Sequence, residues 1–210
     1  MRAPIRDFVQ RMSKVLPIEE PVYEFGSFMV EGQENIADLR PFFKGLEYVG
    51  ADMREGNGVD VILDLHKINL PSQNVGTVVL VDTLEHVEYP RKAIEEVYRI
   101  LKPGGVLIMS SVMNFHIHSY PNDYFRFTPE AFGSLLKDFE TRHIDYLGIE
   151  DHPHTVVAVA VKGEVEDFQK IVDESNFWRN RWESSFMDNT VYKWMPPMLL
   201  RLWRLRKRRY

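Results

Sequence analysis

The sequence predicts an α/β fold in which a mostly parallel sheet is covered by helices on both faces. Three observations carry that expectation. Short apolar, strand-like segments alternate with segments of helical periodicity through most of the chain. One helix is punctuated at both ends, opening on Pro90 and stopping at Lys102-Pro103-Gly104-Gly105. Two late apolar runs lie on either side of a polar turn, as a hairpin at the edge of the sheet requires.

The elements follow in order. Ile5, Phe8, Val9, Met12, Val15 and Leu16 recur at helical spacing, giving an amphipathic helix that ends before Pro17. A strand is expected over Val22 to Phe25, a helix near Asn35 to Phe43, a strand over Glu47 to Asp52 and a short apolar strand over Val59 to Leu63. Next come a strand over Thr77 to Val81, the helix Pro90 to Leu101 with Ala93, Ile94, Val97 and Leu101 on one face, and a strand over Val106 to Ser110. A helix near Pro129 to Lys137 precedes the two late strands, Arg142 to Leu147 and Thr155 to Val161, joined across Glu150 to His154. Beyond Gly163 the chain turns charged and aromatic, and Phe168, Ile171, Phe177, Trp178, Trp182 and Phe186 suggest a helical appendage. No internal repeat is visible. The expected organisation is one domain over residues 1–163, including the opening helix, and a helical extension over 164–210 that ends in a basic tail.

Composition narrows the function classes. With 44% hydrophobic and 27% charged residues, the chain can bury a core and is not a disordered or fibrous sequence. The absence of cysteine excludes disulfides, thiolate zinc sites, iron–sulfur clusters and cysteine nucleophiles. The first sixteen residues lack the apolar core of a signal peptide, and the stretch Trp194 to Leu200 is broken by Pro196 and Pro197, so a cytoplasmic location is expected. Net charge is −5, but the last ten residues hold six of the 26 basic residues and no acid, which leaves the first 200 at −11. An acidic body argues against a nucleic-acid partner. The tail could touch phosphate, the body itself, or anionic lipid as a peripheral contact with the inner membrane face. Oligomeric state is not legible.

In an open parallel sheet, ligands bind outside the carboxyl ends of the strands. Acids recur at all four of the first strand ends: Glu24-Phe25-Gly26-Ser27, Asp52-Met53, Asp64-Leu65 and Asp82-Thr83-Leu84-Glu85-His86. Asp52 can accept bonds from the two hydroxyls of a ribose, and Asp64 with the Leu65 N–H can bracket an adenine edge. Gly26 lets the backbone turn close to a ligand. The run from Gly26 to Gly32 carries Glu31 and is poor in glycine, which disfavours a pyrophosphate, and no GxxxxGK[ST] segment argues for a nucleoside triphosphate. A cationic, phosphate-free adenosine derivative suits the acids better.

Here the residues resemble the class I S-adenosylmethionine-dependent methyltransferases, of the methyltransferase type 11 kind. Val22-Tyr-Glu-Phe-Gly-Ser, Tyr48-Val-Gly-Ala-Asp-Met, Asp64-Leu-His-Lys-Ile-Asn-Leu-Pro71, Val81-Asp-Thr-Leu-Glu-His-Val and Arg99-Ile-Leu-Lys-Pro-Gly-Gly-Val-Leu carry the resemblance, in the family's order, between about residues 21 and 162. It implies a Rossmann-like, seven-stranded sheet with its last strand antiparallel, and S-adenosylmethionine as cofactor. It also implies that Glu24, Gly26 and Ser27 lie beside the methionine part and that Asp52 and Met53 lie at the ribose. Asp64 and Leu65 would flank the adenine, with Asp82, Thr83, Leu84 and His86 as the floor. The sequence departs from the family where Phe28 and Val30 stand in place of glycines. The segment His116-Ile-His118-Ser-Tyr-Pro-Asn-Asp-Tyr-Phe-Arg-Phe-Thr-Pro-Glu130 looks like one that follows the fifth strand in some of these enzymes. His116, His118 or Asp123 could there take a proton from a substrate.

The expected function is methyl transfer to an oxygen or nitrogen of a small-molecule or saccharide acceptor. A catalytically silent binding or scaffold protein of the same fold, and an RNA methyltransferase using the basic tail, remain open. His116 and His118 could form a metal pair, but no third ligand is obvious, and no metal is expected.

Overall fold

The computed structural model describes residues 1–118 and 121–186, with the side chains described up to residue 183. The basic tail and its suggested contacts lie outside the described residues. In chain order the elements are α1 (Ala3–Val15), β1 (Val22–Phe25), α2 (Glu34–Ala37), β2 (Tyr48–Asp52), β3 (Val61–Ile62), β4 (Val75–Val81), α3 (Pro90–Ile100), β5 (Leu101–Val112), α4 (Pro129–Leu135), β6 (Thr141–Ile149), β7 (His152–Val161) and α5 (Phe168–Phe186). They form one seven-stranded sheet in the order β3-β2-β1-β4-β5-β7-β6. The first five strands pair in parallel, and β7 runs antiparallel to both β5 and β6. This is the Rossmann-like sheet with an antiparallel last strand that the sequence leads one to expect.

Period-two alternation divides the core between the faces. Val78 and Leu80 of β4, Leu107 and Met109 of β5, and Val156, Ala158 and Ala160 of β7 pack with Ala93, Ile94, Val97 and Ile100 of α3 and with Phe132 and Leu135 of α4. Their neighbours Val79, Val81, Val106, Ile108, Val157, Val159 and Val161 pack on the other face with Ile5, Phe8, Val9 and Met12 of α1 and with Ile171 and Trp178 of α5. Trp178 is fully buried, meets Phe8 edge-on at 4.9 Å, and donates its indole N–H to the Pro4 carbonyl at 2.7 Å. The first and last described helices thus share one layer. None of the described helices is long and apolar enough to cross a membrane.

Two elements differ from expectation for local reasons. The helix expected near residues 35–43 is split into α2 and a 3-10 turn at Arg40–Phe42. Asp38 lies extended between them and accepts the Arg40 N–H at 3.0 Å, a side-chain turn that competes with helix continuation. Strand β3 is reduced to two residues because the Asp60 carboxylate takes the Gly50 N–H at 2.7 Å, so side chain replaces ladder at its start.

Candidate functional site

The strand order reverses between β1 and β4, which lie side by side at the middle of the sheet, and the loops leaving them open a crevice at their carboxyl ends. A cavity of about 720 Å³ fills that crevice. Of the residues proposed from sequence, Glu24, Gly26, Ser27, Asp52 and Met53 line it from β1 and β2, and Asp64 and Leu65 from the turn after β3. Asp82, Thr83 and His86 line it from the turn after β4, and His116 and His118 from the loop after β5. Two do not line it. Leu84 is fully buried in the core, and the Asp123 side chain turns into the loop itself.

Each carboxylate has a defined partner. Asp52 ends β2 and holds the neighbouring loop, its two oxygens accepting from the N–H groups of Arg54 at 3.0 Å and Phe28 at 3.4 Å. The Oδ2 atom keeps a lone pair for a further donor. Glu24 is buried and accepts from the Tyr48 hydroxyl at 2.6 Å. Burial pushes its carboxyl up to about 7, against the opposing pull of that hydroxyl and of Arg40. Asp64 is exposed and accepts from the backbone N–H of His66 at 2.8 Å; that bond, more than the nearby imidazole, holds it below the usual carboxylate range.

Gly26 has φ +86, and a β-carbon there would lie 2.2 Å from the Thr83 Oγ1, so both conformation and contact require glycine. The Thr83 hydroxyl is itself bonded to the Val81 carbonyl at 2.9 Å. Asp82 adopts φ +47, an uncommon conformation for a residue with a side chain, and is held there by Arg2 and the Ser110 hydroxyl. Burial works against its ionisation, but the Arg2 charge and these hydrogen bonds outweigh it, and the carboxyl sits below its ordinary range.

The bulky first loop has a counterpart in the loop after β2. The Phe28 ring lies under the Arg54 guanidinium at 4.5 Å and against Gly56, where a β-carbon would come within 2.2 Å of the ring. Met29 packs on Gly58 and donates its N–H to the Asn57 carbonyl at 2.8 Å. The bulk of Phe28 and Met29 is in effect matched by Gly56 and Gly58 across the crevice.

The loop after β5 forms the opposite wall, with Phe115, His116, His118 and Tyr124 on the cavity. Asp123 fixes it by accepting from two nitrogens of Arg126 at 2.5 and 2.7 Å and from the His118 N–H at 2.8 Å. The Arg126 hydrogen bonds hold the Asp123 carboxyl well below the usual range, so this acid is an anchor. Sequence reasoning missed Arg2 and Glu85. Arg2 reaches the site from 80 residues away, through a contact that no local pattern announces. Glu85 is fully buried, and burial together with the Asp82 charge pushes it up to about 7, against the 2.6 Å bond from the Ser111 hydroxyl.

Residues 37–109, which hold β2 through most of β5, match the model of the methyltransferase domain family. Over that third of its length the chain is similar to the methyltransferase domain family, and its sheet has the fold of S-adenosylmethionine-dependent methyltransferases. No curated protein matches it. Among solved structures, the fold is similar to a 1,6-didemethyltoxoflavin-N1-methyltransferase from Burkholderia thailandensis with bound 1,6-didemethyltoxoflavin and S-adenosylhomocysteine. The TM-score is 0.59 at 15% identity, covering 77% of this chain and 79% of that one. A SAM-dependent methyltransferase from Thermotoga maritima gives 0.55 at 20% identity, covering 75% and 89%. Another from Archaeoglobus fulgidus gives 0.55 at 16%, covering 75% and 94%.

S-adenosylmethionine is the cofactor to which the methyltransferase-domain match and the S-adenosylhomocysteine-bound neighbour point. The cavity fits the group: it is lined by six carboxylates against two guanidiniums, those of Arg2 and Arg54. Such a lining suits a sulfonium and repels a pyrophosphate. Its volume falls within the ordinary range of ligand sites. Gly26 leaves open backbone where a β-carbon would have no room.

Proposed function

We propose that the chain methylates an oxygen or nitrogen of a small-molecule or saccharide acceptor. The observation that carries this reading is a single cavity walled on the β2 and β3 side by the cofactor-type acids and on the β5 side by histidines and aromatic rings. That arrangement supports a donor and an acceptor bound side by side, which is most of what methyl transfer needs.

Bound there, S-adenosylmethionine supplies an electrophilic methyl group that an acceptor atom takes by in-line displacement. On this reading Asp52 accepts from the ribose hydroxyls, with Met53 beside it, and Asp64 and the Leu65 N–H bracket the adenine. Glu24, Gly26 and Ser27 lie along the methionine part, and Asp82, Thr83 and His86 form the floor. Phe115 and Tyr124 hold the acceptor and exclude water. His116 receives the proton of an acceptor hydroxyl, while Asp123 positions the loop.

Calorimetric titration with S-adenosylmethionine and S-adenosylhomocysteine tests the reading. Binding of both, lost in Asp52→Ala without loss of the fold, supports it; no binding at millimolar ligand overturns it. A catalytically silent binding module is the second reading, favoured by the Phe28 ring and Arg54 standing beside the glycine turn. It requires that a methyl-labelled donor be bound without any label passing to acceptors.

A further inference from the structure

We infer that Glu85, His86 and His118 form a binding site for one divalent transition-metal ion of the zinc type at the acceptor end of the cavity. The sequence shows no third ligand beside His116 and His118, but the fold supplies two from the turn after β4. One ligand atom from each of Glu85, His86 and His118 lies within 4.8 Å of the others. The two imidazoles meet edge-on, with centroids 4.8 Å apart. His116 is instead stacked on Phe115 at 4.3 Å.

Three features go beyond proximity. The Glu85 side chain is fully buried; its Oε2 accepts from Ser111, while its Oε1 has no hydrogen-bond partner among the described residues. A buried carboxylate oxygen left without a donor is costly, and a cation is the partner that satisfies it best. The Nδ1 of His86 sits 2.5 Å from the Asn122 carbonyl, and the Nδ1 of His118 sits 3.2 Å from the His116 carbonyl and 3.4 Å from Asp123. Carbonyl acceptors require a proton on Nδ1, which leaves the ring lone pair on Nε2. That tautomer, fixed by a carbonyl or carboxylate behind the ring, is how ligating histidines are generally oriented. Finally, Tyr124 and Phe125 donate their N–H groups to the Glu85 carbonyl at 2.8 and 3.2 Å, so the loop carrying His118 is stitched to the turn carrying the other two.

Two nitrogens and one carboxylate oxygen favour zinc and its neighbours over magnesium or calcium, which prefer oxygen sets. Tetrahedral coordination at about 2.1 Å places ligand atoms roughly 3.3 Å apart. The side chains therefore close by about 1.5 Å around the ion, a shift within reach of rotamer adjustment in a loop. Three protein ligands leave one position open, as in catalytic zinc sites, and it would take an oxygen of the acceptor, a hydroxyl or carboxylate. The ion site stands without the methyl-transfer reading; only the use of its open position rests on it.

The test is calorimetric titration of chelator-stripped full-length protein with Zn²⁺, together with Co²⁺ absorption as a report on coordination. One ion per chain is expected, with affinity falling at least tenfold in His86→Ala and in His118→Ala and unchanged in the exposed His152→Ala. The visible Co²⁺ bands should vanish in the first two variants. No Zn²⁺ binding, or binding that His118→Ala leaves intact, overturns the inference. His118 lies on a surface loop, so its variant serves even if His86→Ala does not fold. Repeating the titration with S-adenosylhomocysteine separates the two readings. Zn²⁺ binding without S-adenosylhomocysteine binding sinks the methyl-transfer reading and leaves the ion site; the reverse sinks the ion site alone.

Discussion

Arg2 and Asp82, 80 residues apart, are joined by two nitrogen–oxygen contacts of 2.8 and 3.2 Å across the mouth of the cavity. The same guanidinium bonds the Thr155 hydroxyl at the start of β7 and lies 5.5 Å from the Phe115 ring centroid. One side chain therefore ties the amino terminus to β4, to β7 and to the loop after β5. Arg2→Ala should cost about 2 kcal/mol in urea denaturation at neutral pH, because it strands a largely buried carboxylate. Asp82 is held below its ordinary range when folded, so its contribution is present above about pH 4 and is lost as pH falls through the folded value. The difference between wild type and variant should therefore shrink on acidification below pH 4.

Gly26→Ala should destabilise the fold by more than 2 kcal/mol, since it combines a left-handed backbone with the 2.2 Å collision against Thr83. Adding Thr83→Ala removes the collision but not the backbone cost. Thermal melts of the double variant should recover part of the loss and leave a residue of about 1 kcal/mol.

Glu24 is raised to about 7 in the folded protein, well above its unfolded value. Folded protein therefore binds the extra proton between about pH 4.5 and 7, and stability falls as pH rises through that window. Glu24→Gln keeps an acceptor for the Tyr48 hydroxyl without the buried charge. It should raise the melting temperature at pH 8 and lessen the slope of the profile from pH 5 to 8, leaving the part due to Glu85, with a gain of no more than roughly 3 kcal/mol.

Trp178→Ala should cost about 3 to 5 kcal/mol, measured by chemical denaturation. The ring is fully buried and its N–H closes on the Pro4 carbonyl, so its loss should also loosen α1. Hydrogen exchange in residues 3–15 should accelerate together with that in α5. Unchanged exchange in α1 would show that the two helices are energetically separate.

The alternation of strand and helix was legible because each element buries a regular face. Val78, Val79, Leu80 and Val81 read as a doubly covered strand, and Ala93, Ile94 and Val97 as one side of a helix. The strand-end acids were legible for the same reason, since parallel topology delivers every such end to one rim. Glu85 and His86 lay in plain view, but their proximity to His118 depends on β4 and β5 pairing in register, which composition does not encode. Arg2 was invisible because its partner is reached through helix packing. Leu84 was misplaced because a one-residue difference in a 3-10 turn decides whether a side chain faces cavity or core.

Phe28 over Gly56 and Met29 over Gly58 make the two crevice loops a single interlocking unit. Neither can be exchanged for a relative's version alone. Transplanting a glycine-rich first loop would leave a void where Phe28 and Met29 now sit, and filling in the second would jam it. Variation at this rim must travel in matched pairs, and engineering for a different acceptor should treat both turns as one cassette.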